Sequence, residues 1–443
     1  MPGTRRTRPN PAHIAVFNVP MHGHVNPTLG VVEELVRRGH RVTYTVTDDF
    51  VHQVKAAGAE PVLHPDPVDD SEAPEDMGEG FARVVRGALE SLPTLRRAYD
   101  GDRPDLVLCD VYAFAGLLLA ARWEVPTVLA SPTHLAYDGI IPEFFGVPGL
   151  VQVPGFAELV GAFAEQGVDI ARVHELVRPE HAVAFFPRAF QRRADTVEAR
   201  RVAYVGPALG DRSYQGTWQP PRPNLPGQAG QTGQTGQTGQ TGQTGQTGQP
   251  NLPGQAELPV LLVSLGSQFT RRPEFYRSCV RAFAELPWHV VMSVGPAVPP
   301  DLLGPLPANV EVHPHVPQLA VLAQADAFVT HAGMGGTMEA LHHGVPLVAV
   351  PQMAEQRVNA AQIERLRLGV HLPRESVTPE ALREAVLRVS SDRDIRAGVS
   401  AMREELAAAG GAGAAADLIE QALPQPVIPA PTTGPGDRTS CRS

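Results

Sequence analysis

The histidine at position 24 is a candidate general base. It follows the apolar run 14–19, and the neighbouring Asn26-Pro27 is typical of a helix cap and a first helical residue. An imidazole held just ahead of a helix and facing a cleft can take a proton from a substrate hydroxyl, because its ordinary pKa of about 6.5 suits that work near neutral pH. His22 is the competing candidate, and simple packing at a strand–helix junction is the alternative for His24.

Asp110 is a candidate partner for that base. It ends the apolar run 106–109, where a buried parallel strand would otherwise continue with hydrophobic residues. A charge at such a position needs a partner. Pairing with His24 would fix the tautomer of the imidazole and stabilise the cation formed on proton uptake, as in hydrolase triads but without a nucleophilic serine. The alternative is that Asp110 only caps the following helix near Tyr112.

The glycine-rich turn 331–336 is a candidate phosphate site. It joins a predicted strand to a predicted helix, and free backbone N–H groups and the helix dipole at such a turn attract anions. Met338 stands where G-x-G-x-x-G has its last glycine, and no G-x-x-x-x-G-K-[ST] occurs in the chain. The first βα turn holds only Gly23, so a nicotinamide-dependent oxidoreductase is a poor match.

The elements that must position these residues alternate between short β-rich runs and longer helical patterns. This alternation predicts an α/β fold with parallel sheets, whose ligands bind beyond the carboxyl ends of the strands. The predicted strands are at about 13–19, 41–47, 60–63, 105–110 and 126–130, then 258–264, 288–294, 309–313, 326–330 and 346–350. The predicted helices are near 26–38, 79–99 and 112–122, then 273–285, 335–343, 355–368 and 378–389.

A Gly-Gln-Thr repeat at 230–249 divides the chain. It has no apolar residue to bury, so ordering it would cost backbone entropy without compensation. Two copies of Pro-Asn-Leu-Pro-Gly-Gln flank it, which indicates a duplicated linker. We therefore predict a doubly wound, Rossmann-like domain at 1–207, a low-complexity interdomain linker at 208–257, a second such domain at 258–424 and a disordered tail at 425–443.

The composition excludes several classes of protein. Acidic residues outnumber basic residues by 47 to 37, which argues against binding to nucleic acid or to an anionic membrane. Three widely separated cysteines exclude a disulfide framework and a thiolate zinc site. The longest apolar stretch, 113–121, is far shorter than the roughly 20 residues of a membrane span, and no export signal is convincing. We expect a cytoplasmic protein.

A block of motifs in the second half carries a resemblance to a known family. Its parts, in order, are Val316-Pro317-Gln318, the segment 330–339, Gly344-Val-Pro346, Pro351, Glu355-Gln356 and Asn359-Ala360. They resemble the nucleotide-sugar signature of family 1 UDP-dependent glycosyltransferases. With the segments 23–27 and 264–267, the chain is most similar to the macrolide glycosyltransferases of actinomycetes, the oleandomycin-glucosylating type. The resemblance implies the GT-B fold, in which two Rossmann-like domains face each other across a cleft.

The resemblance also implies a role for each matching residue. His24 would be the general base and Asp110 the carboxylate that orients it. In the second domain Gln318 would lie against the uridine and Glu339 on the ribose hydroxyls. The diphosphate would be surrounded by Ser267, His331, Gly336 and Thr337, the sugar hydroxyls would be bound by Glu355 and Gln356, and the donor site would also include His315, Val316, Gly333 and Gly335. The family usually has Trp where His315 stands, stacking on the uracil, and Asp where Glu355 stands.

The reaction implied is a single inverting displacement. The deprotonated acceptor oxygen would attack the anomeric carbon of a UDP-α-sugar, here a hexose and most simply glucose, and a β-glycoside would form. The leaving diphosphate would be stabilised by the helix amino terminus and His331. We therefore expect no metal and no cofactor beyond the donor, although single aspartates such as Asp326 remain open as metal ligands.

The acceptor is expected to bind to aromatic side chains of the first domain. The candidates are Tyr112, Phe114, His134, Tyr137, Phe144 and Phe145, which follow the fourth and fifth predicted strands. Aromatic walls suit a large apolar molecule, although ordinary core packing is the alternative for each of these residues. The family suggests a macrolide antibiotic that is inactivated by glycosylation. Other apolar natural products such as polyketides or flavonoids, a sugar-nucleotide epimerase, and a non-catalytic UDP-sugar or macrolide binding protein are the alternatives. The oligomeric state is left open.

Overall fold

The structure is a computed structural model that describes residues 11–65, 74, 76–168, 180–197, 200–220 and 258–424. The predicted repeat at 230–249 and the predicted tail at 425–443 lie outside the described residues. The first part of the predicted linker, 208–220, is described and runs along both domains.

Within the described residues, the first domain is built on a seven-stranded sheet of order β3-β2-β1-β4-β5-β6-β7. All of its strand pairs are parallel, and the strand order reverses between β1 and β4, where ligands of doubly wound sheets bind. Two of the strands, β6 and β7, were not predicted from the sequence. The strands are β1 (His13–Phe17), β2 (Arg41–Val46), β3 (Glu60–Leu63), β4 (Leu106–Asp110), β5 (Thr127–Ser131), β6 (His181–Ala184) and β7 (Arg201–Tyr204).

Helices pack on both faces of this sheet. The longest, α3, has its buried residues spaced along one face and is capped by Asp76, whose carboxylate accepts from the Glu79 N–H at 2.8 Å. The shorter helices α2, α5 and α6 were not predicted. The described helices are α1 (His22–Arg37), α2 (Val51–Ala56), α3 (Met77–Tyr99), α4 (Phe114–Trp123), α5 (Ile140–Phe145) and α6 (Phe156–Glu165).

The second domain has a six-stranded parallel sheet of order β10-β9-β8-β11-β12-β13 among the described residues. Its strands are β8 (Val260–Ser264), β9 (His289–Ser293), β10 (Val310–His313), β11 (Ala327–Thr330), β12 (Leu347–Ala349) and β13 (Gly369–His371). Its helices are α7 (Pro273–Phe283), α8 (Gln318–Leu322), α9 (Met334–His343), α10 (Ala354–Arg365), α11 (Pro379–Ser391) and α12 (Arg393–Ala408). The central strand β8 is buried along its whole length, as expected for a strand with helices on both sides.

The start of α1 differs from the prediction. The helix begins at His22, with Met21 as the cap and the Val25 N–H donating to the Met21 carbonyl at 2.9 Å. Pro27 therefore lies inside the helix, where its missing N–H removes one hydrogen bond, that to the carbonyl of Gly23. His24 stands in the first turn of α1 rather than ahead of it, and Asn26 is not the cap.

The last helix returns to the first domain. Chain order alone assigns α13 (Gly411–Ala422) to the second domain, but this helix packs against α1 and β6. Its Ala415, Ala416, Leu418 and Ile419 are buried in the core of the first sheet. The first domain is therefore completed by both ends of the described chain.

The two domains contact each other directly. The Gln362 side chain of α10 donates to the Phe190 carbonyl at 2.8 Å, and Arg365 donates to the Ala189 carbonyl at 2.9 Å. Helices α1 and α9, one from each domain, contact each other across the cleft. In the described part of the chain, no single helix is long and apolar enough to cross a membrane, although the bent pair 140–152 and 156–165 would be by length and composition alone.

Candidate active site

His24 and Asp110 are hydrogen-bonded to each other at the carboxyl edge of the first sheet. The distance between His24 Nδ1 and Asp110 Oδ2 is 2.8 Å, and the Asp110 side chain is fully buried while that of His24 is 15% exposed. The second oxygen of Asp110 accepts from the Tyr112 N–H at 2.9 Å. Asp110 therefore makes both of the contacts that sequence reasoning treated as alternatives, the histidine pair and the turn cap.

A buried asparagine anchors the first turn of α1. Asn18, directly after β1, donates from Nδ2 to the His24 carbonyl at 3.0 Å and to the Tyr44 hydroxyl at 2.8 Å. The Tyr44 hydroxyl in turn contacts the Thr28 hydroxyl at 2.6 Å. This network holds the backbone of His24 in place. Sequence reasoning missed it, although a polar residue in the otherwise apolar run 14–19 was a usable signal.

His22 is directed away from the pair. Its ring lies edge-on against Phe50, with ring centroids 4.8 Å apart. Burial lowers its pKa, and His315 and Arg212 nearby lower it further while Asp49 raises it.

The glycine-rich turn stands at the amino end of α9, but its glycines do not supply an unusual backbone conformation. The positive φ of 63° falls on Ala332, whereas Gly333 has a φ of −62°. Gly333 provides space instead, since a Cβ there would lie 2.4 Å from Nε2 of His331. Gly335 has no protein atom near its missing Cβ, so the first turn of α9 is open there, and Gly336 lies beneath the side chain of Gln318.

The imidazole of His331 is neutral in this environment. Burial lowers its pKa to about 4, although a backbone hydrogen bond with Ser264 opposes the shift. Its Nδ1 is buried without a hydrogen-bond partner among the described residues. Thr337 is fully buried and its hydroxyl likewise has no partner there, whereas Ser267 lies exposed at the surface.

Glu339 of α9 is the centre of a polar cluster at the domain boundary. Its Oε2 accepts from Gln318 Nε2 at 2.6 Å, and its Oε1 accepts from Arg212 Nη1 at 2.6 Å. The structure thus brings together the two residues that the resemblance assigns to the nucleoside. His315 is exposed beside them and Val316 is buried. Arg212 was not predicted, because it comes from a distant segment of the chain.

Glu355 lies between the two domains at the start of α10. Its Oε1 accepts from the Thr133 hydroxyl of the first domain at 2.8 Å. Burial raises the pKa of Glu355, while the hydrogen bond from Thr133 and the proximity of His24 oppose the shift. Gln356 is buried, and its Oε1 accepts from the Gln352 N–H at 2.8 Å.

An apolar cavity opens beside His24. Its volume is about 580 Å³, which includes open solvent at its mouth. It is lined by the segment 17–21 at the end of β1, by α3, and by Tyr112, Ala113, Ala115 and Gly116. The Tyr112 ring lines it and lies 5.6 Å from the His24 ring, measured between centroids. Small and aliphatic residues of α3, such as Val84, Ala88 and Leu95, form much of the wall and were not predicted.

The structure separates the six aromatic residues expected to line one pocket. Tyr112 alone among them lines the cavity. Phe114 and Phe145 both pack on Phe81, with centroid distances of 5.3 and 5.8 Å. The other three are buried in a separate cluster, where His134 stacks on Phe190, Tyr137 donates to Glu143, and Phe144 packs on Tyr137. Core packing is the role of this second group, because large rings after strands also fill the space beneath the loops.

Among the described residues, no group of three or more His, Cys, Asp and Glu side chains is arranged to hold a metal ion. Asp326, which the sequence left open as a ligand, accepts from the Val260 N–H at 2.8 Å and so ties β8 to β11.

Comparisons with known proteins agree with this fold. The family model for the Erythromycin biosynthesis protein CIII-like, C-terminal domain matches residues 278–421. The oleandomycin glycosyltransferase of Streptomyces antibioticus is 39% identical, over 94% of this chain and 92% of that protein. The demethyllactenocin mycarosyltransferase of Streptomyces fradiae is 37% identical, over 93% and 87%. Among solved structures, the glycotransferase of kitacinnamycin aligns with a TM-score of 0.77 at 38% identity, over 94% of this chain and 100% of that one.

Two facing doubly wound domains with these relatives define a glycosyltransferase of the GT-B fold. Because the likeness extends over nearly the whole chain, the protein belongs to the glycosyltransferase family that includes the oleandomycin glycosyltransferase, and it is an enzyme. The resemblance stated from the motifs, the predicted fold and the predicted enzyme class are confirmed.

Proposed function

We propose that this enzyme transfers a hexose, glucose in the first instance, from a UDP-sugar to a hydroxyl of a macrolide antibiotic, and thereby inactivates the antibiotic in the cytoplasm. The observation that carries the proposal is the 2.8 Å hydrogen bond between His24 and Asp110 beside an apolar cavity. Relatives named for oleandomycin and demethyllactenocin support the acceptor class.

The pair would act as a general base. Asp110 binds Nδ1 of His24, so the opposite ring nitrogen, Nε2, would take the proton of the acceptor hydroxyl. The oxygen would then attack the anomeric carbon from the face opposite the diphosphate. One displacement inverts that carbon and converts an α-linked donor into a β-glycoside.

Stabilisation of the leaving diphosphate would come from the second domain. The backbone N–H groups of the first turn of α9 have no partner within the helix, and the open space at Gly335 gives access to them. His331 would contribute as a neutral hydrogen-bond donor, since burial lowers its pKa to about 4. We propose that these dipoles replace a metal ion.

The choice of donor sugar depends on Glu355. This carboxylate is hydrogen-bonded to Thr133 of the first domain and would face the sugar hydroxyls. Because Glu355-Gln356 matches the hexose-hydroxyl position of glucosyltransferases, we expect UDP-glucose to be the preferred donor. Because a glutamate is longer than the aspartate usual in the family, we expect the choice to be relaxed, so that UDP-galactose is accepted more slowly.

The apolar wall of the cavity favours a large apolar acceptor but does not by itself select a macrolide. A second candidate function is therefore transfer to another apolar natural product, such as a polyketide or flavonoid. The kitacinnamycin glycotransferase, which is 38% identical, favours this breadth.

The test is an assay of UDP-glucose and UDP-galactose with erythromycin or oleandomycin, followed by mass spectrometry and by NMR of the anomeric linkage. We expect a β-glucoside, a rate that EDTA changes by less than about a factor of two, and a product without antibacterial activity. Loss of turnover on chelation, restored by Mg²⁺ or Mn²⁺, would contradict the metal-independent mechanism. If flavonoids are glycosylated and none of the macrolides is, the enzyme class stands, but the proposal that the acceptor is a macrolide is contradicted.

A further inference from the structure

A buried ion pair joins the domains at the residue assigned to the donor ribose. Arg212 follows β7 and belongs to the described start of the interdomain segment. Its guanidinium reaches Glu339 of the second domain, and the two side chains are only 7% and 8% exposed. Glu339 is thus held on one oxygen by Arg212 and on the other by Gln318, both at 2.6 Å.

The backbone next to Arg212 is itself fixed by α1. Glu33 of that helix accepts from the Asp211 N–H at 3.2 Å. One turn earlier, a Cβ on Gly30 would lie 2.5 Å from the Ala208 carbonyl oxygen, so helix and segment are in direct contact. The helix that carries His24 in its first turn therefore also holds the segment that delivers Arg212.

The number of hydrogen bonds on Glu339 leaves room for a diol. Each carboxylate oxygen can accept about two hydrogen bonds, and Arg212 and Gln318 use one on each. One acceptor position per oxygen remains, which matches two adjacent hydroxyl groups. A ribose offers such a pair at its 2′ and 3′ positions, whereas a 2′-deoxyribose offers only one hydroxyl.

We propose that Arg212 is a positioning residue that holds the Glu339 carboxylate in a fixed orientation, so that the donor site prefers a ribonucleoside diphosphate to its 2′-deoxy counterpart. The inference rests on the proposed use of a UDP-sugar. Without the guanidinium, the buried carboxylate loses its counter-charge and one of the two hydrogen bonds that fix its orientation, so it is free to rotate. The preference for ribose then disappears, even though no atom that contacts the ribose has been removed.

The experiment compares UDP and 2′-deoxy-UDP as ligands of the full-length enzyme by isothermal titration calorimetry. The variants are Arg212→Met, which removes the charge, and Arg212→Lys, which keeps it. Arg365→Met is the matched control, because Arg365 also crosses between the domains but, among the described residues, donates only to Gln362 and to the Ala189 carbonyl. Thermal melting of each variant reports whether the fold is retained.

We expect the wild type and Arg365→Met to bind UDP about tenfold or more tightly than 2′-deoxy-UDP, the usual size of a hydrogen bond to a charged group. In Arg212→Met the ratio falls to about two or less, because UDP weakens while 2′-deoxy-UDP changes little. Arg212→Lys is expected to restore part of the ratio, and it carries the test if Arg212→Met does not fold.

An unchanged ratio in the folded Arg212 variants would overturn the inference and show a purely structural ion pair. Tighter UDP binding in Arg212→Met would overturn it as well, since Arg212 would then block the site. If the wild type binds UDP and 2′-deoxy-UDP equally well, only this inference is contradicted. If the wild type binds neither UDP nor 2′-deoxy-UDP, both the proposed UDP-sugar donor and this inference are contradicted.

Discussion

In the proposed reaction the acceptor hydroxyl loses a proton as the new glycosidic bond forms, and we propose that His24 takes it. We expect His24→Ala to lower kcat by a factor on the order of 10²–10⁴, the usual contribution of a general base, with UDP affinity nearly unchanged. His22→Ala is the matched control two residues away, because its ring packs on Phe50. Equal losses in the two variants, measured by product formation and UDP titration, would contradict the assignment.

The charge of Asp110 is expected to matter more than its shape. Asp110→Asn keeps an oxygen that can accept from the Tyr112 N–H, so the turn after β4 should form. An amide cannot stabilise the protonated imidazole of His24, and turnover should fall by on the order of 10²–10⁴. Circular dichroism and kcat measured together test this expectation. A folded variant with wild-type activity would refute the dyad.

Two buried histidines should make the protein less stable in mild acid. Burial lowers the pKa of His331 and of His134 to about 4, whereas an unfolded histidine titrates near 6.5. As the pH falls from 6.5 to 4 the unfolded chain takes up these protons first, so the free energy of unfolding decreases across that window.

The measurement is the Tm between pH 7 and pH 4.5. His134→Asn, which can still accept from the Arg192 N–H, should be less stable at neutral pH but less sensitive to acid. His52→Asn, at an exposed position, is the control and should keep the wild-type slope. An identical slope in His134→Asn and the wild type would show that His134 does not contribute.

For single residues, the sequence predicts the roles that depend on position along one strand or one turn. Asp110 could be assigned because a charge ended an apolar run, and the structure places it in contact with His24. Arg212 could not be assigned, because 127 residues separate it from Glu339 and no local pattern connects them. The residues of α3 that line the cavity were missed for a different reason, because aliphatic side chains carry no signal that distinguishes a cavity from a core.

Among the elements, the turn before α9 depends on space for one imidazole ring. Gly333→Ala should destabilise the protein by roughly 1–3 kcal/mol and weaken UDP binding, because the new Cβ would lie 2.4 Å from His331 Nε2. Gly335→Ala is the matched control for the apo protein. It lies in the helix with no protein atom near the added Cβ, so its Tm should be unchanged or slightly higher. Equal Tm values for the two variants would show that the ring can move aside.

Most central elements of both sheets could be predicted, because a buried parallel strand is a continuous apolar run. The strands β6, β7 and β13 were not predicted: a run of three or four residues gives little signal, although the equally short β3 and β10 were recognised. The start of α1 was placed four residues late, because Asn26-Pro27 has the local preferences of a helix start. In the structure, the bonds to Met21 and the anchor of Asn18 extend the helix to His22.

For the molecule as a whole, the final helix should determine whether the first domain is stable. Removal of residues 411–443 would expose the surface covered by Ala415, Ala416, Leu418 and Ile419, at a cost of roughly 5 kcal/mol. It would also remove Asp417 and Glu420, which pair with Arg38 at 2.7 and 2.8 Å. We expect this truncated chain to melt at a much lower temperature or to aggregate.

The control for that truncation is removal of residues 425–443 alone, which keeps α13 complete. Its Tm and its activity should match those of the full chain. If both truncated proteins melt like the full chain, α13 does not stabilise the first sheet.

The return of α13 also bears on how such enzymes can be recombined. In a chimera joined only in the interdomain segment, the last helix of the second parent would pack against the sheet of the first parent. That helix would have to supply acidic residues in place of Asp417 and Glu420, which pair with Arg38. The part of the chain that can be exchanged as a unit is therefore the stretch from about 258 to 410, with a crossover at each end. The second crossover falls at Gly410-Gly411, where both residues have positive φ and the Gly411 N–H bonds to the Val205 carbonyl of the first domain. Replacing the second domain while keeping the first thus requires exchange of this internal segment rather than of the whole carboxyl-terminal half.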